Sequence, residues 1–423
     1  MPSKSHSRPV HVEKQAKKSP ASPAAEHQPT HPSSPEQPTT PTALKSGETR
    51  PRPAKKKAQA HPGVAPLSPL ATVQQFEPLP KPLGQPPYNY DLETVIPGIT
   101  AQAEQRGHLV FHCAGDTGGI KMADYQTAVA NAMKADLTLA ADAAPSFFYH
   151  LGDVVYYNGQ VTDYYAQFYE PYDHYTAPII SIPGNHDGDP INSSQVSLDG
   201  WVRYFMQPDA HVNPESQDAP RATMSQPNVY FTLNCPFVTI IGMYTNVPEG
   251  GSIDSIQQQW LTNEFDSAPK DKALIVALHH PIYSFDDHHS GSARMADAIQ
   301  AAINDSRRVP NMVLTAHVHD YQRFERDLVG DSPTPFLVIG HGGYYNLHGL
   351  TAKPGTTDEE TQAKLIAAND TQHGYVIFTV DANEISGVMN LAEDTKRPAK
   401  ANADKFSYPA GAIFLPSGAS VSL

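Results

Sequence analysis

The sequence predicts an α/β protein in which two mixed β-sheets pack as a sandwich flanked by helices, preceded by a disordered N-terminal tail. Three observations lead to this prediction. After residue 88, apolar strand-like runs alternate with helical patterns, which is typical of α/β domains. Two late runs follow each other without a helix between them, which indicates mixed rather than purely parallel sheets. Residues 1–87 lack the aromatic side chains of a core.

The predicted tail covers residues 1–87. It holds 19 of the 40 prolines, one of the 37 aromatic residues, and 12 Lys+Arg against 5 Asp+Glu. A segment of this composition cannot bury enough apolar surface to fold. We interpret it as a solubilising extension. The alternative is an arm that contacts nucleic acid or another polyanion through its lysines.

The remaining residues, 88–423, are predicted to form one domain. Because the tail carries a formal charge of +7 and the whole chain −14, this domain carries −21, and its bulk charge would repel anions.

The longest apolar runs, such as residues 273–278, are far shorter than the roughly 20 residues that cross a bilayer, so no membrane partner is expected. Residues 1–20 contain no apolar stretch of the length that a secretion signal requires. We therefore expect a cytoplasmic protein by default, and export would require a different start site. Cys113 and Cys235 are expected to be buried thiols.

The elements follow from apolar runs and their spacing. Strands are predicted at residues 108–113, 146–150, 178–182, 273–278, 311–315, 335–339, 375–381 and 384–391. A crossover helix is predicted between the first two strands, where Tyr125, Val129 and Met133 recur at four-residue spacing. A second helix is predicted before residue 273, with one apolar face formed by Ile256, Trp260, Leu261 and Phe265.

Polar residues follow five of these strands. The motifs are Gly115-Asp116, Gly152-Asp153, Gly184-Asn185, His279-His280 and Ala316-His317-Val318-His319. Open α/β sheets place their ligands at the carboxyl ends of their strands, so we expect these side chains to meet. A single Gly-Asp or His-x-His is more often a turn or a loop pair. Together they form a set of oxygen and imidazole donors without sulfur, which suits two hard or borderline metal ions.

These five motifs resemble those of the calcineurin-like metallophosphoesterases, specifically the purple acid phosphatase branch. The broader superfamily places a His two residues after its first Asp, where this sequence has Gly118. The purple branch instead supplies a tyrosine from its second motif, and Tyr156 follows Asp153 by three residues, as in that branch. A phenolate is a hard anionic donor that favours trivalent iron.

The resemblance implies the metallophosphoesterase fold and a dinuclear centre of Fe(III) plus a divalent ion, which would be Fe, Zn or Mn. It implies that the iron is bound by Asp116, Asp153, Tyr156 and His319. It implies that Asp153 also bridges to the divalent metal, which is further held by Asn185, His279 and His317.

The function implied is hydrolysis of a small phosphomonoester by a metal-bound hydroxide. In an acidic protein the two metal ions would draw in the phosphate, because bound metals are the largest local charges. His186, oriented by Asp187, would stabilise the transferring phosphoryl group or protonate the leaving alkoxide, and His288 and His289 would share that work. These cations predict an acidic or mildly acidic optimum.

Two alternatives stay open. The same fold with two divalent metals could hydrolyse phosphodiesters or nucleotides. A more remote alternative is a phosphate-binding interaction protein without catalysis. Outside the ligand set, Arg323 is interpreted as one half of a structural ion pair rather than a phosphate clamp, and His341 stands where the family often has an acidic residue.

Overall fold

The computed structural model describes residues 75–330 and 332–423. These residues form two large mixed β-sheets flanked by helices, which confirms the predicted fold class. The strands in the described part are β1 Asn89–Asp91, β2 Leu109–Ala114, β3 Phe148–His150, β4 Ile179–Ser181, β5 Phe231–Asn234, β6 Val238–Gly242, β7 Ala273–Ala277, β8 Arg308–Val309, β9 Met312–Thr315, β10 Tyr321–Arg326, β11 Thr334–Ile339, β12 Lys364–Asn369, β13 Gly374–Val380, β14 Glu384–Leu391, β15 Lys400–Pro409 and β16 Ile413–Phe414.

The larger sheet has eight strands in the order β1-β5-β6-β7-β9-β11-β10-β12. Its central strands β6, β7, β9 and β11 are parallel, and β10 runs antiparallel to β11 and β12. The second sheet has six strands in the order β15-β14-β13-β2-β3-β4. Here β2, β3 and β4 are parallel, whereas β13, β14 and β15 are antiparallel. A small pair is formed by β8 and β16. Each large sheet thus places a group of parallel strand ends on one edge.

The helices in the described part are α1 Leu92–Val95, α2 Ile99–Arg106, α3 Asp124–Asp136, α4 Asn185–Gly188, α5 Asp199–Phe205, α6 Ser255–Ser267 and α7 Ala293–Ser306. The two predicted helices are α3 and α6. In α6, the Asp254 side chain caps the helix by accepting from the Gln257 amide at 2.7 Å. Ile256 was expected on its apolar face but is 69% exposed. It lies at the edge of the first turn, roughly 110° around the helix from the buried stripe.

The two large sheets pack against each other through one continuous core. Gly242 at the end of β6 shows how close they come: a Cβ there would lie 2.5 Å from Tyr149 Oη and 2.8 Å from Ile182 Cγ2 on the other sheet. Only a residue without a side chain fits this contact. Cys113 and Cys235 are buried and unpaired, as expected.

Residues 75–87 contact the domain, although the sequence places them in the tail. The Asn246 side chain accepts from the Glu77 amide at 2.8 Å and donates to its carbonyl at 3.0 Å. Trp260 Nε1 donates to the Pro87 carbonyl at 2.7 Å. Hydrogen bonds to the backbone hold this segment, and composition does not reveal them, so the described fold begins thirteen residues before the predicted boundary at residue 88. The rest of the predicted tail, residues 1–74, lies outside the described residues.

Within residues 75–330 and 332–423, no helix combines the length and the hydrophobicity needed to cross a bilayer.

Candidate metal centre

The carboxyl ends of five parallel strands bring the predicted metal ligands together. From the six-stranded sheet, β2 leads to Asp116, β3 to Asp153 and β4 to Asn185. From the eight-stranded sheet, β7 leads to His279 and β9 to the His317 and His319 pair. All seven predicted ligands are buried. Side chains that are separated by up to about 200 residues in sequence therefore share one site at the meeting edges of the two sheets.

Three of these residues have left-handed backbone conformations, which are uncommon for residues with a side chain. The φ angles are 54° at Asp116, 54° at Asp153 and 67° at His317. Such conformations cost free energy and are found most often at functional sites, where the surrounding structure imposes them. Here each one turns the chain sharply as it leaves its strand and directs the side chain into the shared site.

Asp116, Tyr156 and His319 form the first cluster. The Tyr156 hydroxyl donates to Asp116 Oδ1 at 3.0 Å and lies 3.2 Å from His319 Nε2. His319 Nε2 is 3.6 Å from Asp116 Oδ1. The three potential ligand atoms thus lie close enough together to bind one metal ion. They come from three of the four residues that the resemblance assigns to the iron.

Asn185, His279 and His317 form the second cluster. Asn185 Oδ1 lies 3.1 Å from His279 Nε2 and 3.0 Å from His317 Nδ1. Nδ1 of His279 donates to the Leu151 carbonyl at 2.8 Å, which leaves Nε2 facing the cluster. His319 is oriented likewise in the first cluster, because its Nδ1 donates to a backbone carbonyl, that of Asn346, at 3.2 Å.

Asp153 lies between the two clusters. Its Oδ1 accepts from the His186 amide at 2.9 Å, and its Oδ2 is 3.3 Å from His279 Nε2. Oδ2 is buried without a hydrogen-bond partner among the described residues. Gly184 packs directly against Asp153, and any side chain at residue 184 would collide with its carboxylate. A buried oxygen with free acceptor capacity is costly unless a cation binds it.

The electrostatics of the site agree with bound cations. Burial raises the pKa of Asp116 well above its ordinary value, although His279 opposes the rise and Asp153 adds to it. Burial lowers the pKa of His317 to about 4 and holds the pKa of His319 well below its ordinary range. Burial opposes the rise at His279, but the carboxylates of Asp153 and Asp116 raise the pKa of this ring to about 9. His317 and His319 are thus neutral near pH 7 and ready to bind a metal, whereas a bound cation would have to displace a proton from His279 and favour the ionised form of Asp116. The residues present therefore fit a dinuclear centre.

His186 lies at the edge of the first cluster. Its ring is 4.7 Å from the ring of Tyr156, and its Nδ1 donates to the Tyr157 carbonyl at 2.8 Å. The sequence predicted that Asp187 orients this ring, but the structure shows no such contact among the described residues. The Asp187 carboxylate accepts backbone N–H groups instead, from Gly184 at 2.8 Å and from Val154 at 3.0 Å. Asp187 thus joins two strand-end loops, and the backbone of Tyr157 orients His186.

The two other predicted catalytic histidines lie in different surroundings. The His289 ring is 4.6 Å from the ring of His317, and its Nδ1 lies 3.0 Å from Glu249 Oε1. His288 is 55% exposed on its side chain and stacks at 4.3 Å on His348. The structure therefore brings His289 to the second cluster and places His288 one ring further out.

Three residues near the site were not predicted from the sequence. Glu249 Oε1 lies 3.5 Å from His317 Nε2 as well as contacting His289. His348 packs 4.5 Å from the His319 ring, and Tyr344 packs 4.3 Å from the same ring. Glu249 follows β6, a strand that was not predicted, so the loop after this strand was not recognised as a source of site residues. Tyr344 and His348 follow β11 at a distance of several residues. The glycine-rich start of their loop is the sequence feature that could have indicated that this loop approaches the site.

Among known protein families, the family model described as calcineurin-like phosphoesterase matches residues 109–321, about half of the chain. Among solved structures, the purple acid phosphatase PPD1 from yellow lupin (Lupinus luteus) seeds matches with a TM-score of 0.51 at 17% sequence identity, covering 71% of this chain and 53% of that one. This chain thus spans about half the length of the lupin protein.

A second similar structure is GAP50, the anchor in the inner membrane complex of Plasmodium. It matches with a TM-score of 0.52 at 14% sequence identity, covering 72% of this chain and 89% of that one. At these identities the likeness concerns the fold alone. No curated protein sequence matches the chain.

Proposed function

The chain belongs to the calcineurin-like phosphoesterase family, and we propose that it hydrolyses phosphomonoesters at a dinuclear centre of Fe(III) and one divalent ion. Membership makes it a phosphoric ester hydrolase with the metallophosphoesterase fold. The family uses two metal ions, and Asp116, Asp153 and His279 offer ligand atoms within 4.8 Å of one another. The identity of the metals and the preference for monoesters are the proposed parts.

The observation that supports iron is the position of Tyr156. Its hydroxyl lies between Asp116 Oδ1 and His319 Nε2, at 3.0 and 3.2 Å. Burial raises the pKa of this phenol well above its ordinary value, and the charges of Asp116 and Asp153 add to the rise. A cation of high charge is therefore needed to make it a phenolate ligand, and trivalent iron meets that need better than a divalent ion.

We assign Asp116, Tyr156 and His319 to the iron, and Asn185, His279 and His317 to the divalent ion. Asp153 lies between the clusters and would bridge them. When bound, the two metal ions would activate a water for attack on phosphorus and neutralise charge on the phosphoryl oxygens.

The chain's own residues do the rest of the work. Nδ1 of His186 is fixed by the Tyr157 carbonyl at 2.8 Å, so the protonated ring can donate from Nε2 to a phosphoryl or leaving-group oxygen. His289 is held by Glu249 at 3.0 Å, and the negative partner raises the pKa of its ring although burial opposes this. A protonated His289 can stabilise the developing negative charge on the phosphoryl group.

Visible spectroscopy with metal analysis tests the iron assignment. Protein loaded with iron should show a phenolate-to-iron charge-transfer band in the visible region that is lost in Tyr156→Phe. Tyr157→Phe is the matched control, because the hydroxyl of this neighbouring tyrosine contacts Tyr344 instead, at 3.4 Å, and it should keep the band. A colourless, fully active protein containing only divalent manganese would refute iron and favour the alternative with two divalent metals.

Hydrolysis of a generic aryl phosphate tests the enzyme itself. We expect Asp153→Asn and His186→Ala to lower the rate by about a hundredfold or more, as is common for removal of a metal-bridging or proton-donating group. Equal background rates in wild type and both variants would leave phosphate binding without catalysis as the function.

A further inference from the structure

Lys121 is fixed at the mouth of the candidate site by tyrosines. Its Nζ donates to Tyr345 Oη at 2.9 Å and lies 4.6 Å from the centroid of that ring. It also lies 5.8 Å from the centroid of the Tyr157 ring. The backbone at Lys121 is left-handed, with φ of 61°, which is uncommon for a lysine and shows that the surrounding structure fixes this turn. The ammonium group is thus restrained, whereas most exposed lysines are free to move.

One aromatic side chain separates Lys121 from the centre. Tyr157 contacts Lys121 on one side, and its ring is 6.0 Å from the ring of His186. Tyr344 Oη donates to Tyr157 Oη at 3.4 Å, and the Tyr344 ring is 4.2 Å from the ring of Tyr156. A group bound at Lys121 would therefore lie about one aromatic ring beyond the scissile phosphate.

The charge at the mouth is uneven. The ring of Tyr344 lies 4.3 Å from the ring of His319, which lies 4.5 Å from the ring of His348. The His348 ring lies 5.5 Å from that of His289, and His289 contacts the Glu249 carboxylate at 3.0 Å. Lys121 and Glu249 are thus at the two ends of this run of rings. A second negative group on a bound substrate would be attracted at the lysine end and repelled at the glutamate end.

We propose that Lys121, restrained by Tyr157 and Tyr345, is a subsite for a second anionic group carried by the leaving group of the substrate. The proposal rests on the proposed function, since it assigns the leaving-group side of the same site. An ammonium group has three N–H donors, and one of them is occupied by Tyr345. The exposed side of Lys121 leaves the others available to a carboxylate or a phosphate.

Two aryl phosphates of matched shape test the proposal. 3-Carboxyphenyl phosphate carries the second charge, and 3-carbamoylphenyl phosphate replaces it with a neutral amide. The quantity compared is the ratio of kcat/KM for the charged over the neutral ester, in wild type and in Lys121→Met. Both proteins are assayed with the same two esters. The difference in reactivity between the two leaving groups therefore cancels when the ratio in wild type is compared with the ratio in the variant.

We expect the ratio to be about three- to tenfold higher in wild type than in Lys121→Met, the range for a partly exposed, charge-assisted contact. Lys121→Arg should keep most of the difference, Tyr345→Phe should lose part of it, and added salt should reduce it. Lys134→Met is the control, because Lys134 lies on α3 about 15 Å along the helix from its first residue, Asp124, and it should leave the ratio unchanged.

Further matched pairs distinguish the source of the anionic group. Comparing 3-phosphoglycerate with glycerol 3-phosphate tests an aliphatic carboxylate, and comparing fructose 1,6-bisphosphate with fructose 1-phosphate tests a second phosphate. The pair with the larger loss of preference in Lys121→Met identifies the class of group that the subsite takes.

An equal loss of kcat/KM on charged and neutral esters in Lys121→Met would overturn the subsite and leave the proposed function intact. An unchanged ratio in all variants would do the same. If metal-loaded protein hydrolysed none of these esters, the proposed function would fail, and the subsite with it.

Discussion

His288 and His289 are adjacent in sequence but have different environments. His289 contacts the ring of His317 at 4.6 Å, whereas His288 stacks on His348 and is 55% exposed on its side chain. The sequence motif gave both residues the same role. At the scale of single residues, the geometry predicts that only His289 is close enough to act on a phosphoryl group held between the metals.

The matched pair His289→Gln and His288→Gln tests this difference. We expect His289→Gln to lower kcat about a hundredfold, because removing a positioned donor typically costs that much or more. We expect His288→Gln to change kcat by less than about threefold, as for an exposed group outside the reacting shell. Steady-state kinetics on one aryl phosphate measures both, and equal losses would contradict the assignment.

The seven predicted metal ligands share one property: each lies a few residues after the end of a strand that was itself predicted. Residues that act through contacts in space were not predictable in this way. Glu249 follows β6, whose apolar run was not recognised, and it reaches His289 across 40 positions. The orientation of His186 depends on the carbonyl of Tyr157, and a backbone contact leaves no mark in the pattern of residue types.

At the scale of elements, α4 is a short helix on which the second cluster depends. It runs from Asn185 to Gly188, directly after β4. Its Asp187 side chain accepts backbone N–H groups from two loops, those that follow β3 and β4. This carboxylate therefore fixes the relative position of the loops that carry Asp153 and Asn185.

Asp187→Asn should loosen that connection without removing a ligand. An amide keeps one acceptor but presents an N–H group to backbone donors, so one of the hydrogen bonds becomes a repulsive contact. We expect roughly tenfold to hundredfold weaker binding of the second metal, the usual cost of losing a group that positions a ligand. Metal titration followed by calorimetry measures this.

Asp189→Asn is the control for this variant. Asp189 lies two residues further along, and its carboxylate is 3.5 Å from the Asn158 side chain rather than in hydrogen bonds to the strand-end loops. It should bind both metals as wild type does. Unchanged affinity in Asp187→Asn would show that the loops hold their positions without this carboxylate.

Eight strands were predicted, and all of them are present within two residues of the predicted ends. The two predicted helices are present as α3 and α6. Apolar runs indicate the strands because most of these strands are buried on both faces, whereas buried and partly exposed residues alternate in β14. Strands with mixed composition were not predicted. In β10, the buried Gln322 and Arg323 are polar, and in β15 most side chains are exposed. Hydrogen bonds and ion pairs stabilise such strands, and hydrophobic periodicity does not detect them.

At the scale of the whole molecule, an ion pair joins the two large sheets. Arg323 on β10 donates to Asp404 on β15 from Nε at 2.8 Å and from Nη2 at 3.0 Å. Tyr408 on β15 adds a hydrogen bond to Glu325 on β10 at 2.7 Å. This confirms the interpretation of Arg323 as a structural residue. A bidentate pair with little solvent exposure fixes how the two sheets are aligned.

Buried histidines predict that the domain loses stability in acid. Burial lowers the pKa of His341 to about 3 and that of His373 to about 4, and it also lowers the pKa of His112. Below about pH 6.5 the unfolded chain binds protons at these positions while the folded chain does not. The free energy of unfolding should therefore fall with decreasing pH, by up to about 1.4 kcal/mol per pH unit for each histidine.

Urea unfolding of wild type and His341→Leu at pH 7.5 and pH 5.0 measures the effect. Neither ring nitrogen of His341 has a hydrogen-bond partner among the described residues, so leucine removes the titration without breaking a hydrogen bond. The variant should lose less stability between the two pH values than wild type. His174→Leu, which changes a side chain that is 68% exposed, should behave as wild type. Equal pH dependence in all three proteins would refute the argument.

The burial of both cysteines has a practical consequence for labelling experiments. The sequence contains two cysteines, Cys113 and Cys235, and both are buried as free thiols. Burial raises the pKa of each thiol, so neither presents a reactive thiolate to a reagent in solution. A cysteine introduced at an exposed position would therefore be the one thiol that a maleimide dye modifies in the native protein. Placed at Met122, which is exposed and next to Lys121, such a dye would report binding at the mouth of the site without any change to the two native thiols.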